Sequence, residues 1–436
     1  MDRKPEKHPH FSVGTWAAVL ATFLLLLLTF LFYRAITERK TADPPDIVEE
    51  LLSGREETML PEAAEIPEET EEPAFMPETV PAAETAAPEE KNPQEMPSGF
   101  TLAVGGTVNV SRASREFARE GSRYDFSTCF MGLGSRITDA DLTLCTLETA
   151  ADDQKPYDSV NAPSALLDAL ADEKIDFVSL GTEHMLDKGY DSLDVTLSEL
   201  NLRSITGLGV RQEAGTLPGM VLTVGGIRTA ILAYTYGLSD EGIAATKSDR
   251  RGTAPLLSNE KQVMQDIAKV RADGAEVVIL LVHWGMKNRP DTPESVRALA
   301  ERLAAAGADL IVGTHPSVVQ SVEEIRAKRT DGLTRSTIVA YSLGNLLTDA
   351  RTEESAAGMF LRCGFQKDPK TGVVSVSELS AVPIYVARQE EEGTDSWRVV
   401  EADNEASLSG LEAEERAAAQ RAAALVKNAM SGVQTP

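Results

Sequence analysis

Residues 276–315 determine the fold class of this 436-residue chain, and they read EVVILLVHWGMKNRPDTPESVRALAERLAAAGADLIVGTH. Residues 276–282 are, after Glu276, continuously apolar and rich in β-branched side chains, which predicts a strand buried on both faces. Residues 292–306 predict an amphipathic helix with Thr292 as its N-cap, a proline in the first turn and Gly307 after the last turn. Residues 308–312 predict a second buried strand, and a strand–helix–strand unit of this kind is typical of α/β proteins.

The same alternation extends over the rest of the chain from residue 100. Further strands are predicted at 100–110, 141–147, 176–180, 221–224, 229–235 and 336–342, and further helices at 164–173, 190–202 and 258–271. Strands that alternate with helices give an α/β fold. Residues 358–365 and 372–383 are predicted to be antiparallel strands that close the domain, which favours two packed sheets over one doubly wound sheet.

Three of the five histidines lie outside the first ten residues, and each follows a predicted buried strand. They are His184, His283 and His315. Open α/β sheets bind their ligands at the carboxyl ends of strands, and histidine is the commonest metal ligand and the commonest general base. We therefore expect the three side chains to converge on one site, the alternative being three unrelated turn or core histidines.

The N-terminal residues 11–33 carry no charge, and their centre reads LATFLLLLLTFLFY. About 20 apolar residues suffice for a helix to cross a bilayer, and the run exceeds the apolar core of a cleaved signal peptide. We predict an uncleaved transmembrane anchor at 11–33 after a cytoplasmic tail at 1–10. Basic residues flank both ends of the span, so they do not by themselves fix its orientation.

The segment from residue 34 to residue 98 is predicted to be a disordered linker rich in proline, glutamate and alanine. Residues 41–98 contain 17 acidic and 2 basic residues, and so carry much of the formal net charge of −26. Such a composition cannot bury enough apolar surface to offset the entropy of ordering. The acidity also argues against a nucleic-acid partner, because nucleic-acid binding needs a basic surface.

The C-terminal residues 391–436 are predicted to be a polar tail outside the folded domain at 99–390. Residues 407–430 read SLSGLEAEERAAAQRAAALVKNAM, and their alanine, glutamate and arginine content favours a helix. This helix could dock on the domain, pair with a partner or stand free.

Five elements in the same order resemble the CapA family of poly-γ-glutamate capsule biosynthesis proteins. They are DFVSLGTEHMLDKGY at 176–190, LAYTYG at 232–237, LLVHWG at 280–285, VGTHP at 312–316 and VAYSLGN at 339–345. The resemblance covers about residues 100–387. It implies a four-layer α/β sandwich similar to the calcineurin-like metallophosphoesterases, with a metal site at the strand ends.

The chain departs from the family pattern at positions that matter for metal binding. Gly106 stands where the family's first strand ends in aspartate, which is a metal ligand in metallophosphatases. Thr146 and Glu183 stand in place of asparagines, Lys287 in place of an acidic residue and Ser317 in place of a histidine. The resemblance leaves as metal ligands Glu148, His184, His283 and His315, supported by Asp187 and Asn345.

This smaller set of ligands limits the number of metal ions that the site could bind and the reactions that it could catalyse. A two-metal phosphoesterase needs a bridging carboxylate and several anionic ligands, whereas three histidines and one glutamate suit a single divalent ion such as Zn²⁺ or Mn²⁺. Glu148 and His184 are then the candidate catalytic groups. Glu183 could replace a lost ligand or lie on a loop surface. Lys287 could repel a cation and attract an anion, or be a solvated loop lysine.

Asn345 has a simpler interpretation, since Leu-Gly-Asn is common turn chemistry. We favour that role for it over a direct part in the site.

Two main functional hypotheses follow. The first is a membrane-anchored, extracellular protein that makes or handles a capsule or envelope polymer, with metal-dependent hydrolase or transpeptidase-like activity. Its partners would be the membrane, an anionic polymer such as poly-γ-glutamate, and other capsule or envelope biosynthesis proteins. The second is a degenerate relative that binds such a polymer or partner without turnover, which Gly106 favours. A phosphodiesterase of small nucleotides fits less well, because the same ligands are missing.

Overall fold

The computed structural model describes residues 98–433, apart from 212, 214, 247–253, 331, 350–351 and 392–393. The predicted tail, the predicted anchor and all but the last residue of the predicted linker lie outside these residues. Within the described part of the chain, no helix is both long and apolar enough to cross a membrane. All of the described residues belong to one compact unit.

The described strands fall into two large sheets and two short pairs. In chain order they are β1 (Gly99–Val108), β2 (Arg119–Glu120), β3 (Arg123–Tyr124), β4 (Leu142–Leu147), β5 (Ala150–Ala151), β6 (Asn161–Ala162), β7 (Phe177–Ser179), β8 (Thr206–Leu208), β9 (Gly219–Val224), β10 (Ile227–Thr235), β11 (Val277–His283), β12 (Leu310–Thr314), β13 (Val322–Lys328), β14 (Thr334–Ala340), β15 (Asn345–Leu347), β16 (Ala357–Lys367), β17 (Val374–Glu391) and β18 (Thr394–Glu401).

The described helices connect these strands. They are α1 (Arg112–Phe117), α2 (Ser127–Phe130), α3 (Ser135–Thr138), α4 (Ala165–Asp172), α5 (Gly189–Leu202), α6 (Asp240–Ala245), α7 (Glu260–Ala272), α8 (Glu294–Ala306), α9 (Glu353–Ala356) and α10 (Ala413–Ala429). A 3₁₀ turn at Met430–Gly432 follows α10.

The first sheet has eight strands in the order β18-β17-β16-β1-β4-β7-β8, with β15 also paired to β1. The second has six strands in the order β13-β14-β12-β11-β10-β9. In the second sheet the central strands are parallel and both edge strands are antiparallel. In the first sheet β1, β4, β7 and β8 are parallel up to one edge, and the antiparallel strands β16, β17 and β18 form the other side. The predicted α/β class with two sheets is therefore confirmed.

Side-chain alternation along the strands packs the two sheets against each other. Leu102 and Leu144 of the first sheet share one core cluster with Ile279 and Leu281 of the second, because these residues point to the inner faces. The outer face of the first sheet packs on α4 and α5, and the outer face of the second packs on α7 and α8. The order of layers is helix, sheet, sheet, helix.

Three local predictions differ from the structure. Pro293, not Thr292, is the N-cap of α8, and the hydroxyl of Thr292 lies 3.3 Å from Oε1 of Gln320 instead. Strands β13 and β18 were not predicted. Strand β17 runs past the predicted boundary at residue 390, and β18 pairs with it in the first sheet.

The C-terminal helix docks on the domain, which selects one of the three alternatives left open by the sequence. Ala419 and Ala422 of α10 are buried in a cluster with Tyr385 and Ala387 of β17 and Val400 of β18. Small side chains allow this close approach of the helix to the sheet. Residues beyond 390 therefore complete the folded body.

The parallel register brings several strand ends together at one edge. Val108 at the end of β1 pairs with Leu147 at the end of β4, and the next amide, of Glu148, donates to the carbonyl of Val108 at 3.0 Å. In the second sheet His283 at the end of β11 pairs with Thr314 at the end of β12. The residues that directly follow these parallel strands therefore lie near one another at this edge.

Candidate functional site

Two histidine rings face each other at the ends of β11 and β12. Nε2 of His283 lies 3.1 Å from Nδ1 of His315, and the rings are arranged edge to face. His283 is 3% exposed, and its Nδ1 lies 3.4 Å from the hydroxyl of Thr314. His315 adopts a φ of 94°, a conformation that side chains rarely take, so the turn after β12 holds its ring in a constrained position.

Burial decides the charge state of this pair. Burial lowers the pKa of His283 well below its ordinary value of 6.5, and the neighbouring His315 lowers it further. Burial also lowers the pKa of His315. Both rings are therefore neutral at pH 7, and neutral imidazole is the form that binds metals.

Glu183 joins the histidine pair to the rest of the site. Its Oε1 lies 3.1 Å from Nζ of Lys287, 3.2 Å from Nε2 of His184 and 3.7 Å from Nδ1 of His315. The hydrogen bond from His184, together with the hydrogen bond and charge of Lys287, holds the pKa of the Glu183 carboxyl well below its usual range. Glu183 is thus an ionised carboxylate at the centre of the cluster.

A chain of polar contacts fixes the orientation of His184. Its Nδ1 lies 2.6 Å from Oδ2 of Asp187, and Oδ1 of Asp187 accepts a hydrogen bond from the hydroxyl of Ser239. The carboxylates of Asp187 and Glu183 raise the pKa of His184 to about 10 despite partial burial. His184 is therefore protonated at pH 7 in the metal-free protein, and Asp187 acts as the support that the resemblance implies.

Glu148 is a buried carboxylate with unmet hydrogen-bonding capacity. It is 2% exposed, and among the described residues its Oε1 has no hydrogen-bond partner. The nearest cationic groups are Nζ of Lys287 at 3.7 Å and Nε2 of His184 at 3.9 Å. Burial raises the pKa of Glu148, although Lys287 and His184 oppose this. An orphaned buried oxygen marks a position where a ligand or ion would be stabilising.

The side chain of Asn345 hydrogen-bonds to main-chain carbonyl groups next to the site. Its side-chain amide donates to the carbonyl of Ser317 at 3.1 Å and to the carbonyl of Ser355 at 2.7 Å. These bonds tie the turn after His315 to the end of α9. The structural interpretation of Asn345, favoured from the sequence, agrees with these contacts.

Glu183 and Lys287 complete the cluster, and sequence reasoning left the role of each open. Adjacency to His184 was the only signal for Glu183. The approach of Lys287 to Glu183 joins residues 104 positions apart, which no local pattern reveals. The structure divides the four predicted metal ligands between two groups, with His283 and His315 in one and Glu148 and His184 in the other, and Glu183 belongs to both.

Two triads of side chains could each hold a metal ion. We call Glu183, His283 and His315 the first triad, and Glu148, Glu183 and His184 the second triad. Bonds of about 2.0–2.1 Å in a tetrahedral zinc site place neighbouring ligand atoms roughly 3.3 Å apart. The separations of 3.1 and 3.7 Å around His315 are close to this value, so the first triad fits a divalent ion.

A cavity of about 670 Å³ opens beside Glu148 and Lys287. Glu148 and Lys287 line it on the side of the ligands, and Asn288, Ser317 and Thr348 contribute polar groups elsewhere. The carboxylate of Glu148 thus lies between the cluster of site residues and this cavity.

The position of the lost aspartate is closed by backbone. A Cβ atom on Gly106 would lie 2.3 Å from the carbonyl oxygen of Gly344 and 2.8 Å from its carbonyl carbon. Both contacts are with main-chain atoms, which cannot rotate away. The absence of a side chain at Gly106 is therefore built into the way β1 and the 344–345 segment pack.

We expect Gly106→Asp to destabilise the protein without restoring a ligand. Forcing a side chain against the carbonyl of Gly344 should cost about 2 kcal/mol in the free energy of unfolding, measured by chemical denaturation. Gly237→Asp is the matched control, because a Cβ there meets no atom within 4 Å and φ is not positive. Equal stability of the two variants would contradict the steric argument.

Asp187→Asn should lower the pKa of His184 from about 10 toward its ordinary value of 6.5, because it removes the carboxylate next to Nδ1. The raised pKa means that the charged ring contributes stability that is complete below pH 6.5 and lost as pH rises through 10. The variant should therefore lose most stability at neutral and acidic pH. Imidazole NMR titration and denaturation of metal-free protein measure both effects.

The exposed Asp191 on the same segment provides the control for this prediction. Asp191→Asn should leave the titration of His184 unchanged. An unchanged titration in Asp187→Asn as well would show that Asp187 does not set the charge of the ring.

Sequence comparison relates the chain to capsule biosynthesis proteins. Capsule biosynthesis protein CapA of Bacillus anthracis is 24% identical over 274 residues, which cover 59% of this chain and 62% of that protein. PGA biosynthesis protein CapA of Bacillus subtilis (strain 168) is 28% identical over 192 residues, which cover 43% of this chain and 47% of that protein. The matched region thus spans less than two thirds of either relative.

Solved structures with a similar fold include two phosphatase-type proteins. One is a novel phosphatase from Mycoplasma pneumoniae, with 13% identity, 66% of this chain and 95% of that chain covered, and a TM-score of 0.39. The other is the calcineurin-like phosphoesterase YfkN from Bacillus subtilis, with 11% identity, 77% and 99% covered, and a TM-score of 0.38. The family model described as bacterial capsule synthesis protein PGA_cap matches residues 101–350. The chain therefore belongs to this family of bacterial capsule synthesis proteins, as the CapA resemblance predicted.

Proposed function

We propose that this protein is a membrane-anchored, extracellular enzyme that cuts or transfers bonds in a capsule or envelope polymer with the help of one divalent metal ion. The observation that carries the proposal is the first triad, in which two neutral imidazole nitrogens lie 3.1 Å apart beside the ionised Glu183. Three protein ligands leave a coordination position open, as catalytic zinc sites require. Zn²⁺ and Mn²⁺ are the candidate ions.

The names of the relatives support the choice of polymer. The curated relatives are described as acting in capsule and PGA biosynthesis, and we carry this to the present chain as a proposal. Poly-γ-glutamate is then the first polymer to test. The cavity lined by Glu148 and Lys287 gives room for a segment of such a chain.

The protein's own residues supply proton transfer. A bound divalent ion would polarise a substrate oxygen and lower the pKa of a bound water. Glu148 borders the cavity, and burial raises the pKa of its carboxyl, which favours the protonated form and suits a group that takes up and releases a proton. His184, kept protonated by Asp187, can donate a proton from Nε2.

The alternative is a relative that binds polymer or a partner protein without turnover. Backbone atoms occupy the position of the lost aspartate side chain at Gly106, which supports this alternative. Capsule and envelope biosynthesis proteins and an anionic polymer are the proposed partners in either case. The two functions differ in metal content and in turnover.

We expect the purified full-length protein to bind a divalent ion, and His283→Ala or His315→Ala to abolish binding, since each removes one ligand of the first triad. Metal analysis after dialysis against Zn²⁺ or Mn²⁺ measures this. His8→Ala, which changes a histidine of the N-terminal tail, is the matched control and should retain the metal. Wild-type protein with no metal above background would falsify the proposed function.

Glu148→Gln separates the enzyme from the binding protein. It should retain the metal of the first triad, and in the enzyme it should slow depolymerisation of poly-γ-glutamate by about a hundredfold or more. The length of the polymer, followed by gel filtration, provides the readout. Metal binding without turnover in the wild type would favour the alternative.

The anchor at 11–33 makes a separate prediction. The full-length protein should sediment with membranes, and protease added to intact cells should remove the region from residue 98 onward. Deletion of residues 11–33 should shift the protein to the soluble fraction. Full-length protein released intact into the medium would contradict the anchor.

A further inference from the structure

The two triads share Glu183 but differ in the kind of side chain that completes each of them. The first triad joins Glu183 to two imidazoles, His283 and His315. The second joins Glu183 to Glu148 and His184, so it concentrates two carboxylates. Two carboxylates this close require a cation between or beside them.

Lys287 provides a cation at the second triad. Its Nζ lies 3.1 Å from Oε1 of Glu183 and 3.7 Å from Oε1 of Glu148. Metal ions in two-metal sites lie about 3.5–4 Å apart and share such a carboxylate. The ammonium group therefore stands against the same two oxygens that a second ion would need.

The loop after β11 holds Lys287 in this position from both sides. Before it, the amide of Trp284 donates to the carbonyl of Thr314 at 3.1 Å, and the indole of Trp284 is buried. After it, Asn288 adopts a φ of 59° and its amide donates to the carbonyl of Pro316 at 2.8 Å. These bonds fix the backbone on both sides of Lys287, and its half-exposed side chain reaches both carboxylates from that backbone position.

The ammonium group and a metal ion exclude each other at this position. An ammonium nitrogen has no lone pair to donate to a metal, and its positive charge repels a divalent ion at the same carboxylates. The two histidine nitrogens of the first triad carry lone pairs and no charge. The first triad thus suits a metal ion, whereas at the second triad the ammonium group of Lys287 already lies where an ion would bind.

We propose that Lys287 replaces the second metal ion of this site, so that the protein binds one divalent ion at the first triad and uses the lysine to neutralise Glu148 and Glu183 at the second. The inference rests on the proposed metal-dependent function. It specifies that the proposed site holds one divalent ion and that the ammonium group of Lys287 takes the place of a second ion.

Metal stoichiometry in full-length protein tests this inference. Equilibrium dialysis against Mn²⁺ followed by metal analysis gives the number of ions, and electron paramagnetic resonance distinguishes an isolated Mn²⁺ from a coupled pair. Wild-type protein should bind one ion. Lys287→Ala and Lys287→Gln should bind a second ion, with an affinity for it at least about tenfold above that of the wild type, because the repelling charge is gone.

Two further variants act as controls. Lys287→Arg retains the positive charge and should retain one ion. Lys269→Ala removes a half-exposed lysine that pairs with Asp273 at 3.0 Å, and it should also leave one ion. Circular dichroism and thermal unfolding of each variant show whether it is folded before metal is added.

The outcomes separate the inference from the proposed function. One ion in the wild type and two in folded Lys287→Ala or Lys287→Gln support the inference. Two ions in the wild type, or one ion in the wild type and in both neutral variants, overturn it and leave the metal-dependent function intact. No ion in the wild type overturns both.

Discussion

The packing of the two sheets through their inner apolar faces is the constraint on which the site depends. Leu102 and Leu144 meet Ile279 and Leu281 across this interface, and a register slip of one residue would turn every such side chain to the wrong face. The register is therefore fixed in both sheets at once. Since the central strands are parallel, their carboxyl ends are carried to one edge, where Glu148 follows β4 and His283 ends β11.

Within that edge, Glu183 connects the two halves of the cluster. A single oxygen of its carboxylate lies within 3.7 Å of His184, Lys287 and His315, which come from three different strand ends. This carboxylate stands in the sequence where the family pattern has asparagine, whereas the aspartate expected at Gly106 is missing. Negative charge has thus moved from one strand end to another within the same pocket.

The sequence allowed much of this to be predicted, because buried parallel strands give continuous apolar runs and each was followed by a polar residue. The two-sheet α/β class and the site at the strand ends rest on that signal, whereas the set of four proposed ligands came from the resemblance to the CapA family. Strand β13 reads VEEIRAK and is buried on one face only, so its apolar signal is weak. The contact between Lys287 and Glu183 depends on the relative placement of two sheets, which no local pattern specifies.

The close packing around Gly106 also limits the routes by which this site can change. Gly344 and Gly358 approach neighbouring backbone as closely as Gly106 does, so three glycines together allow β1, β15 and β16 to pass in main-chain contact. A carboxylate could return at the end of β1 only if these segments moved apart first, and that requires several coordinated replacements. Single replacements at Glu183 or Lys287 meet no such barrier, because both side chains border open space. Single replacements can therefore alter the charge around Glu183, whereas a carboxylate at the end of β1 needs several replacements at once.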